Sequence, residues 1–218
     1  MREAYHTELD RLGQQVAELA ETADDMMNRA TRALLEGNRS LADAVIGEKQ
    51  GIDDLHHQLD DHAIELLARQ QPVATDLRTI VAYLRISADL QRMAALARHV
   101  AELVVLRYPD PVVPAQLRPM IERMAEVARR LVGKARAVLS SHDVDAALAL
   151  DRDDDEMDRL LESLNNQLVT GRWSPDPPAA MDVTLLGRYY ERYADHAVSV
   201  ARRVAFINDY LVRHPQTT

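Results

Sequence analysis

Cysteine is absent from the 218 residues, which excludes disulfides, thiolate nucleophiles and cysteine-ligated zinc or iron–sulfur centres together. Glycine is scarce, at 7, and proline is limited to 9, placed at Pro72, then from Pro109 to Pro119, then from Pro175 to Pro178, and at Pro215. The long stretches between these points contain no strong breaker. Alanine, leucine, arginine and glutamate dominate them, all good helix formers, so the stretches are expected to be helices. No apolar run approaches the roughly 20 residues that a membrane-crossing helix needs, and Met1 to Asp10 is polar. Neither a signal peptide nor a membrane span is therefore expected, and the chain is expected in the cytoplasm. Lysine is nearly missing as well: Lys49 and Lys134 are the two present, which reads as base composition, not as a binding signature. Basic residues number 26 against 35 acidic ones, for a net charge of -9; the resulting field repels a polyanion, so no nucleic-acid partner is expected. The few glycines form neither a phosphate-binding loop nor a Gly-x-Ser-x-Gly elbow.

Proline and glycine cut the chain into six helical segments, near 3–36, 39–70, 73–107, 115–141, 143–170 and 179–213. Gly37-Asn38 closes the first, Ser40 is a candidate cap for the second, and the widest break runs from Tyr108 to Pro114. The two halves resemble each other. At an offset of 100, the third segment meets the sixth with six identities in thirteen positions, among them Arg92 with Arg192, Ala97 with Ala197 and Val104 with Val204. Near an offset of 105, Asp53 meets Asp158 and Leu59 meets Leu164. One three-helix unit is thus duplicated. The expected fold is all-α, two tandem three-helix bundles related by an internal pseudo-twofold, with domains at 1–108 and 109–218. Apolar residues recur at spacings of four and three through Leu186, Tyr190, Tyr193, Ala197, Val200 and Val204, and through Ile86, Leu90, Met93, Ala97, Val100 and Val104. These two seams are expected to be core.

Glu191 and Asp195 fall off the seam, one turn apart on the outward side of the last helix, and so are neighbours in space. Two carboxylates at that spacing repel unless cations lie between them, and their hard oxygens suit iron, manganese, magnesium or calcium. The alternative is a solvated acidic face neutralised by Arg188 and Arg192. Asp151, Asp153, Asp154, Asp155, Glu156 and Asp158 crowd the fifth segment, where they are read as complementing the helix dipole, with cation binding as the alternative. His56, His57, Asp60, Asp61 and His62 include ligand-like spacings but read more simply as solvated. Trp173 is read as a packing anchor, and Met26 and Met27 as core fillers.

Tyr189-Tyr190-Glu191-Arg192-Tyr193-Ala194-Asp195-His196-Ala197 resembles the Glu-Arg-Ile-Gly-Asp-His-Ala signature of the PhoU family of phosphate-signalling regulators. Gln71-Pro72-Val73-Ala74-Thr75-Asp76-Leu77-Arg78 likewise resembles that family's Gln-Pro-x-Ala-x-Asp-Leu-Arg. The resemblance implies a cytoplasmic negative regulator of phosphate uptake and of the phosphate-starvation response. In that role it would couple the ATPase of a phosphate-specific ABC transporter to a sensor histidine kinase, without catalysis and without a required cofactor. A homodimer is compatible with it, and membrane association would come only through partners.

The resemblance also implies a metal site on the outer face, holding iron or another divalent or trivalent cation. Glu191 and Asp195 would be its ligands, with Asp158 as companion. Arg188, Glu191, Arg192 and Asp195 form the expected partner-binding face. In the first half the counterparts are Gln91 and Ala95, with Asp89 and Asp53 as nearby acids, so any metal is expected on the second half alone. The competing function is a ferritin-like, carboxylate-bridged metal enzyme, which needs two inward Glu-x-x-His motifs. The chain offers one Glu-x-x-His, Glu3 to His6.

Overall fold

The computed structural model describes residues 2–70, 72, 74–170 and 177–213; Gln71, Val73 and Trp173 of the sequence reading lie outside them. The elements are α1 (Arg2–Glu36), α2 (Arg39–Gly47), α3 (Lys49–Gln70), α4 (Ala74–Arg107), α5 (Arg118–Ser141), α6 (Val144–Val169) and α7 (Pro177–Arg213). Every regular element among the described residues is a helix, and none is long and apolar enough to cross a membrane. The six expected segments are all present, the second with one interruption at Glu48. There the chain makes a single tight turn, Glu48 N–H donating to the Val45 carbonyl, before α3 begins. Arg29 grips the interruption from α1, its two terminal nitrogens 2.6 Å from the two Glu48 carboxylate oxygens.

The ends follow from local chemistry. Gly37 takes φ +64 to close α1, a conformation open to glycine at no steric cost. Asn38, not Ser40, caps α2, its side chain accepting from the Leu41 amide at 3.0 Å; a capping side chain must sit one residue before the first helical turn, and Ser40 is already inside it. Asp143 caps α6 in the same way through Ala146.

Packing repeats across the halves. In the first, α1, α3 and α4 touch one another pairwise, with α2 against α1 and α4; in the second, α5, α6 and α7 do the same. Between halves the contacts are α4 with α7 and α1 with α5, each pairing a helix with its own counterpart, as a twofold requires. The α4–α7 crossing is antiparallel: Arg107 meets Asp182, His99 stacks near Tyr189, and Asp89 meets Ser199. At an offset of 100, the Asp89–Ser199 contact maps onto Tyr189–His99. Ala94 and Ala194, both buried, fall at the midpoint, where small side chains permit close helix approach. Both predicted seams are buried among the described residues, as are Met26 and Met27, in one continuous core running from α1 to α7.

Beyond the Arg107–Asp182 pair and the ties of Arg118 and Arg136 on α5 to α1, three polar ties cross the two bundles. Tyr193 donates its hydroxyl to the Ala23 carbonyl at 3.1 Å, and the Tyr190 hydroxyl lies 2.8 Å from that of Thr31, so α7 is fastened to α1. The third corrects an expectation. Asp89 is no outer-face acid; it lies 5% exposed in the α4–α7 contact, accepting from His196, Ser199 and Arg203 at 2.9 to 3.1 Å. Burial pushes its carboxyl up, but these three donors outweigh burial and hold it below the usual range.

Candidate functional site

The α6–α7 pair sets the site. Gly187 lets α6 approach closely, since a Cβ there would lie 2.7 Å from a Leu164 methyl and 3.0 Å from one of Leu161. One turn further along α7 comes Glu191, and another turn on, Asp195. Opposite them on the antiparallel α6 stand Asp158 and Asp154, again one turn apart. The charges of Asp195, Asp158 and Glu191 all act on Asp154. The result is a ladder of four carboxylates, two on each helix.

Glu191 departs from the open outward placement expected for it. Its side chain is 13% exposed; one oxygen accepts from Arg188 at 2.9 Å, and the other is buried without a hydrogen-bond partner. Asp195 and Arg192 are exposed, as is Arg188. Burial, then Asp195 and Asp158, push the Glu191 carboxyl up against the opposing pull of Arg188. Burial and then Asp158 push Asp195 up against His196, Arg188 and Arg192. Asp154 rises furthest, to about 6, through burial and then the charges of Asp195, Asp158 and Glu191, with Arg202 opposing. Carboxylates that take up protons so readily are short of positive charge. Their hard oxygens and the orphaned Glu191 oxygen fit a divalent or trivalent cation in donor type. Among the described residues, however, no three acidic or histidine side chains converge as a metal-binding group.

The sequence reading named Glu191, Asp195 and Asp158 and assigned Asp154 with its neighbours to the helix dipole, with cation binding as the alternative. That assignment fails on geometry. The cap of α6 is Asp143 and its one first-turn acid is Asp145, whereas the dipole acts within the first turn. The acids divide instead by helix face. Asp153 reaches Lys134, Glu156 reaches Arg123 and Arg130 on α5, and Asp154 and Asp158 turn to α7. The side chain of Asp151 lies outside the described set.

In the first bundle, the same operation maps Glu191 to Gln91, Asp195 to Ala95, Asp158 to Asp53 and Asp154 to Lys49. These residues do come together, lining a cavity of about 120 Å³. Gln91 donates to Asp53 at 2.9 Å, and Lys49 supplies a built-in ammonium in place of the fourth acid. The offset of 105 applied to Asp154 would have disclosed this lysine.

The histidine-rich stretch of α3 is neither a ligand set nor a solvated face. His56 bonds Ser87 at 2.6 Å, and His62 bonds Gln15 at 2.7 Å and Glu8 at 3.0 Å, stitching α3 to α4 and α1. His57 alone of the three is exposed.

A prediction with an unusual sign follows from Asp154. Between about pH 4, where an unfolded aspartate titrates, and about 6, the folded chain holds a proton that the unfolded chain has released. Stability therefore falls as pH rises through that window. Asp154→Asn in chelator-treated protein should raise the melting temperature at pH 7.5 by roughly 2–4 °C, corresponding to about 1 kcal/mol after discounting for solvent screening. It should also flatten the difference between pH 5 and 7.5. A lower melting temperature at pH 7.5 would contradict the repulsion.

Two tandem helical bundles, one with an acidic ladder and the other with a neutralised counterpart, define a duplicated all-α class of protein. The PhoU domain family matches the chain twice, over residues 16–104 and 121–204. The phosphate-specific transport system accessory protein PhoU homolog 2 of Mycobacterium tuberculosis is 43% identical over 206 residues, covering 94% of this chain and 97% of that protein. Homolog 1 of Mycobacterium leprae is 42% identical over 94% of this chain and 93% of its own length. The crystal structure of PhoU from Pseudomonas aeruginosa superposes with a TM-score of 0.87 at 24% identity, covering 94% of this chain and 99% of that one. The chain belongs to the PhoU family.

Proposed function

We propose that this chain is a cytoplasmic negative regulator of phosphate uptake and of the phosphate-starvation response, linking the ATPase of a phosphate-specific ABC transporter to a sensor histidine kinase. The observation that carries this reading is kinship over nearly the full length of proteins described as phosphate-specific transport system accessory proteins. The two repeats, 1–108 and 109–218, have divided labour. In the second, Asp154, Asp158, Glu191 and Asp195 would hold a cation once their oxygens are drawn together, and the face with Arg188 and Arg192 meets a partner. The first keeps the fold but replaces the cation with Lys49. Iron, manganese, magnesium or calcium would supply the positive charge the ladder lacks, drawing α6 and α7 together, and α7 is the helix that Tyr190 and Tyr193 fasten to α1.

A ferritin-like reading finds no support in the core. Its buried polar side chains among the described residues are Ser87, Asp89 and Asp182, and each of the two acids is bound by an arginine. Affinity capture from phosphate-rich and phosphate-starved cells tests the adaptor reading. The transporter ATPase and the kinase should be recovered with the wild-type chain in rich phosphate; recovery of neither under either condition would overturn it.

A further inference from the structure

A second surface lies at the Leu77–Phe206 end of the α4–α7 crossing and borders the acidic ladder at Arg202. Here α4 and α7 form the two sides of an open trough of about 740 Å³. Its apolar wall includes Leu77, 42% exposed, and Phe206, 60% exposed, with Val81 between them. Large side chains left this open on two facing helices lack, among the described residues, the cover that the rest of the seam receives.

Arginines make up the remainder. Arg78 and Arg85 line it from α4, Arg202 and Arg203 from α7, and no carboxylate lines it among the described residues. This concentration stands on a chain of net charge -9. Two of the side chains are differently anchored. Arg203 is held through its Nε by the buried Asp89, which also takes the Ser199 hydroxyl at the trough wall, so the guanidinium is pre-set. Arg202 also feels Asp154. The basic character is particular to this end. At an offset of 100, Arg202 maps to Glu102, Arg78 to Pro178 and Arg85 to Leu185, while the apolar exposure persists there at Leu106, Met181 and Leu185. The duplicated fold therefore leaves both ends open, and the arginines are an addition made at one of them.

From Leu77 to Arg85 the α4 wall runs two helical turns, about 12 Å. The α7 wall from Ser199 to Phe206 is of similar length. An open trough of this length, lined by apolar side chains and by arginines from both helices, fits a rod that carries an apolar stripe between rows of acids. Its concave form does not suit a flat lipid surface, which is engaged by protruding apolar residues. We propose that the trough between Leu77–Arg85 and Ser199–Phe206 is the docking site for an amphipathic helix of a partner protein whose apolar stripe is flanked by carboxylates. Phe206, Leu77 and Val81 take the stripe, and the arginines pair with the acids in the bidentate geometry guanidinium favours.

The test uses the full chain and a fluorescently labelled synthetic helix with leucines at i, i+3, i+4 and i+7 and glutamates on both flanks. A second helix carries lysines in place of the glutamates. Anisotropy should show binding of the acidic helix, weakened at least about tenfold for the lysine-flanked helix and weakened further as salt rises. Arg85→Glu and Phe206→Asp should each reduce binding by about tenfold or more, with far-ultraviolet circular dichroism melts confirming that both variants fold. Arg11→Glu, elsewhere on the surface, should leave binding unchanged. Absence of binding, equal binding of the two helices, or binding insensitive to Arg85→Glu would each overturn the proposal. Two other outcomes also overturn it: retention on phosphatidylserine vesicles that Arg85→Glu abolishes, with no helix binding, and self-association in sedimentation that the same variant abolishes.

Discussion

Glu191→Gln combined with Asp195→Asn should reduce cation affinity by at least about 100-fold, since it removes two of the four negative charges on the ladder. Titration of chelator-treated protein with manganese or iron, followed by metal analysis after desalting, reads the loss directly. The same double variant should melt at an equal or higher temperature than wild type without metal. Both carboxyls are pushed up by burial and by neighbouring acids, so neutralising them relieves repulsion that the fold tolerates. On the proposed reading, stability and cation binding thus pull in opposite directions here. The first bundle supplies the control. Gln91→Ala should leave metal binding unchanged, because the one acid of that cavity, Asp53, is already faced by Lys49, Arg92 and Arg98. Equal metal occupancy in the two bundles, or a double variant that binds as well as wild type, would contradict the asymmetry.

Asp89→Ala should be the most destabilising of the polar substitutions, by about 3 kcal/mol. The carboxylate is 5% exposed and accepts from three donors on α7, so its removal leaves the Arg203 guanidinium and the His196 ring without their buried partner. Arg203, itself 32% exposed, can turn towards water, which keeps the cost at the lower end of the range for broken buried pairs. Arg203→Ala should cost less, and the double variant less than the sum of the two. The cost should also fade in acid. A depressed carboxyl contributes stability above its unfolded value, near about 4, and loses it as pH falls through the lower folded value. Urea melts at pH 7 and pH 3.5 check both statements. A change under about 1 kcal/mol at neutral pH would mean that the α4–α7 contact does not rely on this network.

How much of this was legible beforehand varies with the physics of each feature. The helices, their breaks and the two buried seams were readable because proline spacing and the four–three recurrence of apolar residues act locally along the chain. The interruption at Glu48 was hidden because Gly47 lies inside a helix-compatible stretch and the residue that grips it, Arg29, is 19 positions away. Asp89 was misplaced for a related reason. Its three donors sit more than 100 positions downstream, and an aspartate beside an apolar seam looks like a rim residue until a partner helix covers it. Asp154 was within reach, since it lies one turn from Asp158 on the same helix, but a run of six acids has no single face until α6 is placed between α5 and α7. The candidate site was reached mainly through resemblance: residue types alone left Glu191 and Asp195 open to a solvated-face reading, and only the α6–α7 packing sets four carboxylates near one another.

The most direct test of the regulatory reading is the level of phosphate-transporter transcripts in a strain lacking this chain and any second copy of it, grown in rich phosphate. The account predicts transcripts at the starved level in rich phosphate. Wild-type chain should restore repression, and the Glu191→Gln, Asp195→Asn variant should fail to do so despite folding normally. Transcripts that stay low in rich phosphate without the protein, and rise as usual on starvation, would contradict it.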